Sequence, residues 1–128
     1  MYVVKFSITT SAAGAYTSAI ATAPGSDLDN LGPKLLYAVE WVDGTMDDGA
    51  TATLTVTNTP SGVDKTLLTL TLTTNADAWY HPRGVEHDAA GAALTTRALS
   101  VVYGTLKLVV SAGGNVKTGA CWVYLLDG

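Results

Sequence analysis

The stretch TLKLVVSAGGNVKTGACWVYLLDG, residues 105–128, contains two strand-like runs joined by the turn residues Gly113, Gly114 and Asn115. In both runs apolar side chains occupy odd and even positions, so both faces of each strand need cover. A chain of 128 residues can cover one face with its own core. We expect the other face to be covered by a second sheet edge, a loop or another subunit, which points to assembly rather than to chemistry.

The alternation of side chains within these runs separates a core side from an outer side. The residues expected in the core of the domain are Leu106, Leu108, Val110, Cys121, Val123 and Leu125. The residues expected on a surface that a loop or a neighbouring molecule covers are Val109, Trp122, Tyr124 and Leu126.

Period-two patterns predict further strands over residues 2–9, 35–42, 50–59, 66–73 and 99–103. In the segment 35–42 the pattern places Leu35, Tyr37, Val39 and Trp41 on one side, and a short helix is the alternative there. Turn signals separate about eight short strands, and no long 3.6-residue period occurs, which predicts an all-β fold. The expected architecture is a single antiparallel β-sandwich or jelly roll.

The whole chain, residues 1–128, is expected to form one β-sandwich domain. Residues 11–23 are rich in Ala, Ser and Thr and predict either a weak second strand or an extended arm, and the turn residues of 26–33 predict a loop. Together, residues 11–33 are a possible extended arm. Residues 75–96 have no sustained period, and we expect an irregular loop region with short strands near Trp79-Tyr80 and Ala93–Thr95.

Composition argues against two classes of partner. Charged residues make up 14% of the chain, the net charge is −4, and the seven Lys and Arg residues are scattered, so we expect no nucleic-acid binding. No apolar run approaches the roughly 18 residues that span a bilayer, so we expect no membrane partner. Cys121 is the only cysteine, which excludes an intrachain disulfide and fits synthesis in a reducing cytoplasm.

Residues 81–88 contain the one compact group of candidate metal ligands or acid–base groups, namely His81, Glu86, His87 and Asp88. The two histidines lie six residues apart across Pro82 and Gly84, a spacing that matches no zinc pattern. Cys121 has no histidine or cation near it in sequence, so we interpret it as a core thiol. We therefore predict no catalytic residue, no metal site, no cofactor and no enzymatic activity.

Aromatic residues allow two interpretations. One is a platform on which sugar rings stack, as in carbohydrate-binding β-sandwich modules, formed by Trp41, Trp79, Trp122, Tyr37, Tyr80 and Tyr124. Alternatively they anchor the core and a protein interface, a frequent use of aromatic side chains. Under the second interpretation the predicted partner-interface residues are Trp79, Tyr80, His81, Arg83, Trp122 and Tyr124.

Three motifs carry a family resemblance. They are YHPR at residues 80–83 followed by EHDAAGAAL at 86–94, GTLKLVVSAGG at 104–114, and KTG at 117–119. Over the C-terminal half of the chain these motifs resemble small structural proteins of tailed bacteriophage virions. The family defines no catalytic residues, so the resemblance adds none to this chain.

The resemblance implies a minor capsid or capsid decoration protein, a small β-rich module on the outer capsid surface of the virion. Such a module binds the major capsid protein and stabilises the lattice, often as a homotrimer, and a homo-oligomer is therefore expected here. A tail or fibre component of the virion is the alternative within the same class. A carbohydrate-binding β-sandwich module is the alternative from a different class.

Overall fold

The computed structural model describes residues 2–17, 31–57, 62–72, 74 and 76–127. These residues form β-strands and no helix, so none of them belongs to a helix that could cross a membrane. The strands are β1 (Tyr2–Thr9), β2 (Tyr16–Thr17), β3 (Leu31–Val42), β4 (Ala50–Thr57), β5 (Asp64–Leu72), β6 (Ala78–Tyr80), β7 (Gly84–His87), β8 (Ala93–Ala98), β9 (Val101–Ser111) and β10 (Thr118–Asp127).

Eight of these strands form one continuous antiparallel sheet. Six of them follow one another in the order β1-β10-β3-β9-β4-β5, and β2 and β6 pair beside this path. β6 pairs with the C-terminal part of β3, and β2 pairs with β9 at Val109 and Val110. β9 joins the two halves of the sheet, because its first residues pair with β3 and its residues from Thr105 onward pair with β4. We call β1, β10, β3 and β6 the first layer, and β2, β9, β4 and β5 the second layer.

The sheet curls so that both layers contribute side chains to one core. Every second residue of β4, and of β10 from Cys121 to Leu125, points into this core and is buried. The predicted all-β antiparallel fold is therefore confirmed, and so is the predicted core side of β9 and β10. The buried residues there are Leu106, Leu108, Val110, Cys121, Val123 and Leu125.

β3 departs from the predicted pattern at its centre. Leu125 lies opposite Leu36 but Tyr124 lies opposite Ala38, so the register shifts by one residue at Tyr37. Leu36 is buried on one side of the shift and Val39 on the other, and Tyr37 is exposed. The prediction that Leu35 and Tyr37 share the buried side of Val39 and Trp41 is therefore wrong, because a bulge reverses the alternation.

The region 75–96 contains more regular structure than predicted. β6 and β8 confirm the short strands expected near Trp79 and Ala93, whereas β7 was not predicted. β7 and β8 form a separate two-stranded ribbon, and most of their side chains are exposed. Neither face of the ribbon is buried, so its sequence does not alternate between apolar and polar residues. For that reason the two-residue period does not predict β7.

The predicted arm over residues 11–33 falls mainly on residues 18–30, which lie outside the described part of the chain. Of its described residues, 11–15 form a turn, Tyr16–Thr17 form β2, and residues 31–33 begin β3. A loop was predicted for residues 26–33, and that prediction is wrong for 31–33. A register shift between Leu31 and Lys34 accommodates Gly32 and Pro33 within the strand.

A buried hydroxyl ties the end of β1 to the loop between β9 and β10. Thr10 is buried, and its Oγ1 donates a hydrogen bond to the carbonyl oxygen of Gly114 at 2.7 Å. The same oxygen accepts a hydrogen bond from the backbone N–H of Lys117, also at 2.7 Å. Gly114 has φ +95°, a conformation in which a side chain is strained, so this turn requires glycine there.

Candidate functional site

The outer side of the first layer carries a group of aromatic and charged side chains that we call the aromatic face. Strand pairing brings four of them into one row across the layer, because Lys5 lies opposite Trp122, Trp122 opposite Glu40, and Glu40 opposite Trp79. Tyr124 is two residues beyond Trp122 on β10 and therefore points to the same side. The aromatic face consists of Lys5, Glu40, Trp79, Trp122 and Tyr124.

Trp79 is the most prominent residue of the aromatic face, with 55% of its surface exposed. Its ring contacts that of Tyr124, with ring centroids 5.2 Å apart and planes tilted by 32°. No described residue accepts a hydrogen bond from the indole N–H of Trp79 or from that of Trp122. The face therefore offers flat apolar surface and two hydrogen-bond donors to a binding partner.

Two charged side chains of the aromatic face contact its rings. The hydroxyl of Tyr124 donates a hydrogen bond to Oε1 of Glu40 at 3.1 Å. Partial desolvation, and then this hydrogen bond and the charge of Glu40, raise the pKa of Tyr124. The Lys5 ammonium lies 4.8 Å from the centroid of the Trp122 ring, a cation–π contact. One cation and one anion leave the face without net charge.

The face continues past β6 toward the ribbon. His81 is exposed and contacts the ring of Tyr37 edge-on, with centroids 6.1 Å apart. Arg83 donates hydrogen bonds from Nη1 to the carbonyl oxygens of Tyr37, at 3.1 Å, and Pro82, at 2.8 Å. These bonds fasten the segment between β6 and β7 to the bulge of β3. Arg83 therefore holds the base of the ribbon against the first layer.

Tyr80 occupies a different environment from its neighbours in sequence. Because side chains alternate along β6, Trp79 faces outward while Tyr80 faces inward. The ring of Tyr80 is half-buried and packs against the hydrophobic core. The structure thus brings Trp79, Trp122 and Tyr124 together, places His81 and Arg83 beside them, and turns Tyr80 to the opposite side. Their assignment as partner contacts stays a prediction.

Two residues of this surface were not predicted, namely Lys5 and Glu40, whereas Tyr37 was one of the aromatic residues considered for a sugar platform. Lys5 and Glu40 occupy outward positions of predicted strands, which was the available signal, but only the pairing of β1, β10 and β3 shows that they flank Trp122. Tyr37 was assigned to the wrong side because of the bulge. The predicted outer residues Val109, Trp122, Tyr124 and Leu126 are all half-buried.

The candidate ligand group of residues 81–88 does not converge. His81 lies against Tyr37, whereas Glu86 and His87 lie in β7 and Asp88 begins the turn of the ribbon. Oδ1 of Asp88 accepts hydrogen bonds from the backbone N–H groups of Ala90 and Ala92, both at 2.9 Å. Within the described part of the chain no group of three or more His, Cys, Asp or Glu side chains is arranged to hold a metal ion.

No family model, no curated protein and no solved structure matches the chain. The bacteriophage resemblance therefore rests on the sequence motifs alone. The fold adds the positions of those motifs. The first begins at the last residue of β6 and extends through β7 to the start of β8, the second covers most of β9, and the third includes the first two residues of β10. The first motif thus lies beside the aromatic face.

Proposed function

We propose that this chain is a non-enzymatic structural protein of a tailed bacteriophage virion. In this proposal it decorates the outside of the capsid and stabilises the lattice by binding subunits of the major capsid protein. It is synthesised in the host cytoplasm, joins the outer capsid surface, and forms a homo-oligomer, with a trimer favoured by the symmetry of such lattices.

The observation that carries the proposal is the exposed stack of Trp79 on Tyr124. An aromatic side chain that is already held in place loses little conformational freedom when a partner covers it, and it buries a large apolar area. Trp and Tyr are the residues that most often dominate binding energy in protein interfaces. The aromatic face is therefore suited to anchor the chain on another protein surface.

Stabilisation would follow from mass action. A protein that binds the assembled lattice and not the dissociated subunits lowers the free energy of the assembled state with each occupied site. No chemical step is needed, and many modest contacts across the lattice add up. The charges of Lys5 and Glu40 on the aromatic face cancel. This favours a partner surface that carries apolar and uncharged polar groups rather than many charges of one sign.

The test uses capsids of the encoding phage that lack this protein. Purified protein should add to these capsids in a saturable way, be visible on their outer surface by electron microscopy, and raise their disruption temperature. Capsids that bind none of it under saturating conditions would contradict the proposal. A gene for the major capsid protein beside its own gene would support capsid decoration, whereas a neighbouring tail-tube gene would favour the tail.

Carbohydrate binding is the second candidate function, and the chemistry of the same face favours it. The rings of Trp79 and Tyr124 offer stacking surface, the two free indole N–H groups are donors, and Glu40 has a second carboxylate oxygen available as an acceptor. A glycan array would distinguish the two functions. Binding that is lost in Trp79→Ala while capsid addition is retained would favour the carbohydrate module.

A further inference from the structure

The outer edge of β1 is not paired with any strand of the described part of the chain. β1 is the terminal strand of the first layer and pairs with β10 through all eight residues, from Tyr2 opposite Leu125 to Thr9 opposite Thr118. This ladder has no register shift, and no described strand pairs with the other edge of β1. Alternate backbone N–H and C=O groups of β1 therefore point away from β10 without a strand partner.

β1 lacks the devices that usually protect an edge strand. Such edges carry a proline, a bulge, or a charged side chain that repels an incoming strand. β1 contains neither proline nor glycine and has no bulge. Its one charged residue is Lys5, and the ammonium of Lys5 lies over Trp122 on β10. The lysine thus leans inward over the sheet and leaves the edge open.

The other edge strands of the described structure are either very short or irregular. β2 and β6 have two and three residues, and an edge of that length gives an incoming strand little to pair with. β5, at the far end of the sheet, has a register shift opposite Leu54 and Thr55 and carries the exposed Lys65. The ribbon has a larger irregularity, because Val85 pairs with Arg97 while His87 pairs with Ala93. Both features disturb the regular spacing that an added strand would need. β1 is the regular edge that remains.

We propose that β1 receives an extended segment of the partner protein, which adds to the first layer as a further strand. This inference rests on the proposed function and specifies how the capsid subunit is bound. The partner segment is recognised by its extended backbone, through the unpaired N–H and C=O groups of β1, and by alternating side chains, as in β-strand addition generally. The outward side chains beside it are Val3, Lys5 and Ser7.

The position of β1 would allow one partner segment to contact both the edge of β1 and the aromatic face. Lys5 and Trp122 are cross-strand neighbours, so a strand added outside β1 extends the aromatic face by one strand spacing, about 4.8 Å. Side chains of the same segment can then contact Lys5, whose ammonium lies over the Trp122 ring. Main-chain hydrogen bonds supply general affinity, and the aromatic face supplies the specificity of the contact.

Amide hydrogen exchange tests the inference directly. With and without saturating capsids that lack the protein, exchange is measured for β1 and for β5 as an internal control. The alternate β1 amides that face away from β10 should exchange at least about tenfold more slowly on capsids, while β5 amides stay unchanged. Capsid binding without protection of β1 overturns this inference and leaves the proposed function standing. Absence of binding overturns both.

A pair of variants provides a second test. Ser7 is exposed on the outward side of β1, so Ser7→Lys places a free charge at the edge, whereas Ser7→Thr keeps a small hydroxyl residue there. Ser7→Lys should weaken capsid binding by about tenfold or more with an unchanged melting temperature, and Ser7→Thr should bind as the wild type does. Equal binding by both variants overturns the inference. So does a free dimer whose β1 amides are already protected, since a second copy would then occupy the edge.

Discussion

The ring of Trp79 rests on that of Tyr124 at a centroid distance of 5.2 Å, although the two residues are 45 positions apart in the chain and lie on β6 and β10. β3 lies between these two strands and pairs with both. Its residue opposite Tyr124 is Ala38, whose small side chain leaves room for the two rings to meet above it. Both rings are on the outer side, so their contact lies outside the hydrophobic core.

Replacing Trp79 should separate binding from stability. Trp79→Ala removes an exposed ring, so the free energy of unfolding should fall by about 1 kcal/mol or less. Capsid affinity should fall by about tenfold or more if the ring is an anchor. Val116→Ala is the matched control, because it removes exposed apolar surface at the loop between β9 and β10. Equal binding by the two variants would argue against the aromatic face as the contact.

The buried hydroxyl of Thr10 should be important for stability. Thr10→Val keeps the shape of the side chain but leaves the carbonyl of Gly114 and the N–H of Lys117 without this partner. We expect the free energy of unfolding, measured by urea denaturation, to fall by about 1–3 kcal/mol. Thr10→Ser retains the hydroxyl and should lose clearly less. A Val variant as stable as the wild type would show that the two hydrogen bonds contribute little.

Trp41 combines burial with a polar contact inside the core. Its side chain is fully buried, and its Nε1 donates a hydrogen bond to Oδ1 of the buried Asp43 at 3.1 Å. Trp41→Ala should therefore lower the free energy of unfolding by about 3–5 kcal/mol. Trp41→Phe retains apolar volume and loses the donor, so its cost should be smaller. Thermal unfolding followed by circular dichroism measures both variants, and a higher cost for Phe than for Ala would contradict this view.

The thiol of Cys121 should make the protein less stable at alkaline pH. Burial raises the pKa of Cys121 to about 12, whereas the unfolded thiol ionises near pH 9. Between these values the unfolded state loses a proton that the folded state keeps, so the free energy of unfolding falls as pH rises, by up to about 1.4 kcal/mol per pH unit. Below pH 9 this contribution is constant.

A Cys121→Ala variant isolates the effect of the thiol from that of lysines and tyrosines. Denaturant unfolding of both proteins from pH 8 to pH 11 should show that the wild type loses stability more steeply above pH 9. Iodoacetamide should also label the folded wild type slowly at pH 8, because the thiolate is scarce and the residue is buried. Parallel pH profiles, or fast labelling of the folded protein, would refute the buried neutral thiol.

The ribbon should respond to mutation independently of the domain. Asp88→Ala removes the acceptor for the N–H groups of Ala90 and Ala92, whereas Asp88→Asn keeps an oxygen at Oδ1. We expect faster proteolysis and amide exchange in β7 and β8 of the Ala variant, with a melting temperature unchanged within about 2 °C. The reason is that no residue of the ribbon belongs to the hydrophobic core cluster. A large loss of global stability would contradict this separation.

The sequence alone determined the all-β fold, most of the strands and the core side of β9 and β10, because one buried face imposes a two-residue period that is local in the chain. It also identified Trp122 and Tyr124 as residues of the opposite side. Where burial is weak, as in the ribbon, the local signal was absent. Where a bulge intervenes, as at Tyr37, the period changed phase and the prediction for that residue was wrong.

Only the tertiary structure decided which outward residues meet. Strand order and register place Lys5 beside Trp122 and Glu40 beside Tyr124, and these relationships depend on pairings between distant parts of the chain. The same pairings leave β1 as a terminal strand with a regular edge. The two-residue period of a strand determines the face on which each side chain lies. Its neighbours on adjacent strands depend instead on the order and hydrogen-bond register of the strands, and the period alone does not specify these.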